Sequence, residues 1–189
     1  MKCKSHALLG RYLVRQYLEE ASSLQIRAFL IGCIEPDKNP ATYLKGSLRC
    51  QWLRGHNWGN AQRYMQRITN RLERCRKMRF WDFYSLGKLV HYITDAFTYA
   101  HNEEFTANLK DHQAYEQKLQ TYFLWYLGGL PTVRFRCGTS LMDTIRYHHS
   151  CYLRLPISIY TDAHFSITVC CCILAMLFPD CIAERNPLA

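Results

Sequence analysis

A chain of 189 residues is long enough to bury one sizeable core, and its size favours a single domain over 1–189. Nearly half of the residues are hydrophobic while Gly and Pro are sparse, which excludes disordered and collagen-like classes. A formal charge of +9 favours polyanionic partners, whether nucleic acid, anionic lipid or a phosphate-bearing substrate, although an ordinary solvated surface also carries such charge.

The opening Met1-Lys2-Cys3-Lys4-Ser5-His6 is basic, but Arg11 and Arg15 interrupt the apolar residues after it, so no signal-peptide run is recognised. Ser5 is the expected N-cap of a helix over 5–20, and a second helix is expected over 24–33. Pro36 and Pro40 then break the pattern, and 34–55 reads as a long connection of the kind that often carries function. Helices are expected over 58–75 and 80–100, the second from Leu86, Leu89, Val90, Ile93 and Phe97 at helical spacing. Arg71, Arg74, Arg76, Lys77 and Arg79 mark an exposed helix end or loop between them. Further helices are expected over 111–126, 140–152 and 160–178, with Gly128, Gly129 and Pro131 closing the first of these.

The longest apolar run, 165–178, falls short of the roughly 20 residues of a membrane span and suits a buried helix. An all-α, soluble and cytoplasmic protein is therefore expected. Its ten cysteines read as free thiols, because no signal peptide points to an oxidising compartment and no CxxC pair offers a cysteine zinc site.

The chemistry concentrates in polar pairs at helical spacing. His91 and Asp95 are four residues apart, so on a helix both reach one cation, and they lie opposite the apolar stripe. That face is either solvated or, as Phe80 and Tyr84 in the same sector indicate, covered by protein. His112 and Glu116 repeat the spacing on a face shared with Leu119, Phe123 and Tyr126, and His6 shares a face with Leu9, Leu13 and Tyr17. One inward histidine is usually a satisfied core residue; three inward or covered placements of imidazole and carboxylate shift the balance toward a shared metal site.

These residues resemble the zinc-dependent phospholipase C family, whose helical fold is shared with fungal single-strand-specific nucleases. The resemblance rests on an ordered set: His6, the Pro36-Asp37 step, His56, His91-x3-Asp95-x5-His101 and His112-x3-Glu116. It implies two or three zinc ions. Asp37, His56, His91 and Asp95 would surround one, His101, His112 and Glu116 a second, and His6 with a bridging Asp95 a third. Asp37 is implied as general base as well as ligand. Secreted members use the amine and carbonyl of an N-terminal tryptophan as ligands; here Met1, five residues before His6, is expected to supply both, with the bulky Lys2 disfavouring its removal.

Such a site implies phosphoester hydrolysis by metal-activated water. No G-x-S-x-G elbow, P-loop or dinucleotide-binding fingerprint competes with it. Glu116 matches the phospholipases, where the nucleases typically carry Asp. A phospholipid substrate with possible peripheral membrane contact is therefore favoured over nucleic acid, and no partner protein is inferred. A non-catalytic zinc- or lipid-binding protein on the same scaffold is the third alternative. Trp52, Trp58, Phe97 and Tyr99 are either a substrate wall beside the metals or ordinary core aromatics. His148, His149 and His164 match no family position and read as surface or structural residues.

Overall fold

In a computed structural model, which describes residues 1–42, 56–102, 109–128 and 139–179, seven α-helices follow one another and no strand occurs among the described residues. They are α1 (Cys3–Tyr17), α2 (Ser23–Lys38), α3 (Trp58–Glu73), α4 (Phe80–Ala96), α5 (Leu109–Gly128), α6 (Leu141–Tyr152) and α7 (Ile159–Leu177). Short 3-10 turns occupy Pro40–Thr42 and Tyr99–His101. The chain is all-α, as expected. Trp52, Gly129 and Pro131 lie outside the described residues.

Helix α4 is the axis of the fold. Every residue from 86 to 96 is buried, so the polar sector bearing His91 and Asp95 is covered by protein and not solvated. Helix α2 provides much of that cover, and the two backbones cross almost in contact at Gly32 and Gly87. A Cβ on Gly87 would fall 2.1 Å from the carbonyl oxygen of Phe29, and one on Gly32 would fall 2.2 Å from that of Tyr84. Nearby, Lys88 is held against Glu35 at 2.9 Å and over the rings of Tyr64 and Tyr84, a buried cation neutralised at the same interface.

Two expected boundaries move. Helix α1 begins at Cys3, with Lys2 in the N-cap position; Ser5 is buried within the helix and caps nothing. The shift accompanies burial of Met1, which draws the start of the chain inside. Helix α2, capped reciprocally by Ser22 and Gln25, continues past Cys33 to Lys38 with Pro36 inside it. Proline there costs the helix a donor, at roughly 3 kcal/mol, but the packing of α2 on α4 outweighs that loss. The consequence is that Asp37 sits on a helix end and not in a loose connection.

Helix α7 also starts earlier than the apolar run 165–178. Its 19 residues are long and apolar enough to cross a membrane by length and composition, although 72% of the relevant window is buried inside the fold. The seven described cysteines carry no disulfide. The basic cluster of Arg71, Arg74, Arg76, Lys77 and Arg79 is exposed around the turn from α3 to α4, where Arg71 pairs with Asp82 at 2.7 Å.

Gly87→Ala should destabilise the protein by about 3 kcal/mol or more, because backbone meets the new methyl and cannot rotate away. Gly10→Ala, whose Cβ would lie 3.2 Å from the Cys33 sulfur, should cost much less. Urea denaturation compares the two; equal midpoints for Gly87→Ala and wild type would contradict so close a crossing.

Candidate metal centre

Four helices and one turn bring the predicted polar residues together. His6 comes from α1, Asp37 from the end of α2, His91 and Asp95 from one face of α4, His101 from the turn after it, and His112 and Glu116 from α5. His56 precedes α3. Of these, only Asp37 keeps appreciable solvent access.

The donor atoms fall into two groups, each closing within 4.8 Å: His6, Asp37, His91 and Asp95 in one, His101, His112 and Glu116 in the other. Asp95 lies at the centre of the first. Its Oδ1 is 3.2 Å from His6 Nε2 and its Oδ2 is 2.8 Å from His56 Nδ1 and 3.1 Å from His91 Nε2. His6 and His56, which the resemblance implied for different ions, thus approach opposite oxygens of one carboxylate.

Two of these rings are held from behind. His91 Nδ1 is 3.0 Å from the Cys33 carbonyl, which can only accept, so Nδ1 carries a proton and, in the neutral ring, Nε2 presents a lone pair. His56 Nε2 is 3.2 Å from Thr42 Oγ1, whose own proton goes to the Pro36 carbonyl at 2.6 Å. His56 Nδ1 then also presents a lone pair, 3.1 Å from His91 Nε2. Two imidazole lone pairs and a carboxylate oxygen converge, which is repulsive unless a cation or proton lies among them. Neither ring nitrogen of His6 makes a hydrogen bond, nor does buried Asp37 Oδ2 or His101 Nδ1. This donor set fits a borderline-soft divalent cation such as zinc.

The amine of Met1 joins the two groups. It donates to Asp95 Oδ1 at 2.7 Å and lies 2.6 Å from His101 Nε2 and 2.9 Å from Glu116 Oε1. Burial opposes its charge, yet Asp95, Glu116 and Asp37 overcome that and raise its pKa to about 10. Burial would raise the Asp95 carboxyl, but His101, the Met1 ammonium, His91 and His6 hold it well below the usual carboxylate range. Glu116 is likewise held low despite burial, chiefly by the ammonium and by hydrogen bonds from His101 and His112. Burial, reinforced by His91, pushes His6 down to about 4.

Of the aromatics expected to form a wall beside the metals, Phe97 lies elsewhere. Phe97 is fully buried among His149, Tyr152 and Phe165, so it is a core residue: the α4 stripe points it away from the polar face. Trp58 is partly buried and stacks on His149 at 3.7 Å. Tyr99 is partly exposed beside His101. His149, buried and pushed down to about 4 by desolvation, holds Asn102 Oδ1 at 3.0 Å, while the Asn102 amide donates to the Ala96 and Thr98 carbonyls. That arrangement pins the turn carrying His101.

Asp162 was not anticipated. Fully buried near the start of α7, it accepts the Tyr99 amide at 2.9 Å and the hydroxyls of Tyr115 and Tyr152 at 2.8 Å. It therefore ties the His101 turn to α5, next to Glu116. The only signal in the sequence was one acid at the edge of an apolar helix, which reads as an ordinary first-turn residue.

Comparison with known proteins bears on this site. A family model described as zinc dependent phospholipase C matches residues 5–164. No curated protein and no solved structure matches the chain.

Burial pushes the Asp162 carboxyl up to about 6 from an ordinary 3.8, against the opposing hydrogen bonds from Tyr99, Tyr152 and Tyr115. The folded protein thus holds this proton more tightly than the unfolded chain does. The resulting stability is complete below about pH 4 and is lost as pH rises through about 6, an effect of about 3 kcal/mol. Denaturation of wild type and Asp162→Asn across that range should show wild type losing this advantage over the variant. A pH-independent difference would assign Asp162 an ordinary pKa.

Proposed function

Because the chain belongs to the zinc-dependent phospholipase C family, we propose that it is a phosphoric diester hydrolase that cleaves the glycerol-side phosphoester of a phospholipid. The observation that carries this reading is a pair of neighbouring donor groups, one centred on buried Asp95 and one of His101, His112 and Glu116, with the Met1 amine in contact with both. In this reading residues 1–189 form one catalytic domain. His6, Asp37, His56, His91 and Asp95 hold zinc on one side of the site and His101, His112 and Glu116 hold it on the other, with the amine and carbonyl of Met1 completing the set.

Zinc bound there would supply Lewis acidity toward the phosphoester and lower the pKa of water toward neutrality. The rest falls to the protein. Asp37, the most accessible carboxylate of the cluster and one whose buried Oδ2 makes no hydrogen bond, accepts a proton from the attacking water. The water oxygen bonds to phosphorus, the bond to the glycerol oxygen breaks, and that oxygen takes up the proton as the alcohol departs. Tyr99, two residues before His101, and Trp58, two residues after His56, orient substrate in this reading. Asn102 and Asp162 hold His101 still while this happens.

Glu116 favours lipid over nucleic acid, and the assay separates the alternatives. Purified protein should contain zinc and hydrolyse phosphatidylcholine, with activity lost on chelation and restored by zinc. Nucleotide release from single-stranded DNA would move the activity to the nuclease branch, and tight zinc without turnover would make the protein a non-catalytic binder. Asp37→Asn should lower kcat by roughly 10²–10⁴-fold, whereas His112→Ala should lower the zinc content itself. An N-terminal extension should reduce zinc stoichiometry; unchanged metal and activity in that form would remove Met1 from the ligand set.

A further inference from the structure

The turn between α6 and α7 is apolar and open to solvent. Leu153, Leu155 and Ile157 are 47%, 47% and 60% exposed, and Tyr160 follows at 55%. The aromatic surface continues from there. The Tyr160 ring lies 6.0 Å from that of Tyr126, the rings of Tyr126 and Tyr122 are 5.8 Å apart, and Tyr122 is 5.3 Å from Trp125, which is 71% exposed. A small cleft at the base of the turn is lined by Tyr99 and Asn102 together with Leu153, Leu155 and Ile157. Tyr99 and Asn102 lie within two positions of His101 in the chain, so the apolar surface adjoins the proposed metal centre.

We propose that this edge, comprising the α6–α7 turn and the neighbouring end of α5, is a membrane-docking surface that seats on an anionic phospholipid bilayer. Exposed apolar residues this concentrated mark an interaction site. Their chemistry fits a bilayer interface: aliphatic side chains on a turn, with Tyr and Trp beside them, whose rings combine an apolar body with a polar edge. Charge agrees. The segment 153–161 contains Arg154 and no acidic residue, and the next carboxylate, Asp162, is buried. No acidic group on the turn would have to be desolvated against a negative surface. The choice of a lipid occupant rests on the phospholipase reading, which the docking surface would serve by delivering substrate beside the His101 turn.

Co-sedimentation of the zinc-loaded full chain with vesicles tests it, using phosphatidylcholine alone and phosphatidylcholine mixed with phosphatidylserine. Wild type should bind the mixed vesicles more tightly than the neutral ones. A Trp125→Ala, Leu155→Ser, Ile157→Ser variant should lose at least tenfold in vesicle affinity while its zinc content, helical circular dichroism and hydrolysis of a soluble short-chain phosphodiester stay unchanged. Equal vesicle binding by variant and wild type would overturn the proposal. So would a wild type that ignores vesicles, including one that self-associates through this edge in their absence. If wild type binds vesicles through these residues but hydrolyses no phosphoester, the docking surface stands and the phospholipase reading falls.

Discussion

Asp95 has no solvent exposure, and an ion in such a position loses several kcal/mol of hydration unless its surroundings replace it. Much of the molecule serves that replacement. Four imidazoles and one ammonium surround the carboxylate, and they come from α1, from a position two residues before α3, from α4 itself, from the turn after it and from the start of the chain. Helix α4 has to be buried on every side to keep water from this point, which is why α2 crosses it through two glycines. Any larger residue at the crossing would hold the helices apart and move Asp37 away from His6 and His91.

A chain with an excess of basic residues nevertheless has an acidic interior at this site. Three carboxylates, Asp37, Asp95 and Glu116, face a single ammonium, while Arg71, Arg74, Arg76, Lys77 and Arg79 lie exposed at the far end of α3. Net charge therefore says nothing about the centre, only about what the outside meets. The local balance matters more: buried carboxylates outnumber the one cation that the polypeptide supplies among the described residues there, and the remaining deficit matches the divalent chemistry of the family. The Met1 amine occupies a position between the two donor groups where positive charge is required.

Much of this was legible in the sequence because helical spacing is a strong constraint. His91 with Asp95 and His112 with Glu116 each reach one point by periodicity alone, and Leu119 and Phe123 on the second face are fully buried as their spacing predicts. What periodicity could not supply was the effect of packing on local rules. Pro36 reads as a stop, yet tertiary contact carries α2 through it. Ser5 has the chemistry of a cap, but burial of Met1 starts the helix earlier. Phe97 lies one residue past the end of α4, on its apolar stripe, and the same spacing that identified that stripe assigns the residue to the core. Asp162 was invisible because its partners, Tyr99, Tyr115 and Tyr152, come from three different elements.

The way the rings are held distinguishes a site built for a cation from an accidental cluster of histidines. A core histidine spends its ring N–H on protein acceptors, as His149 does with Nε2, shared between Asn102 Oδ1 and the Ala96 carbonyl. His91 and His56 instead spend one nitrogen on a distant acceptor, Cys33 or Thr42, and turn the other toward Asp95 and toward each other. The outer hydrogen bonds fix the tautomer, and the fixed tautomer leaves lone pairs aimed at one point. Thr42 and the Cys33 carbonyl are therefore as much a part of the centre as the rings they orient. Thr42 depends on α2 running through Pro36: the extended helix carries Asp37 into the cluster and brings the Pro36 carbonyl to Thr42.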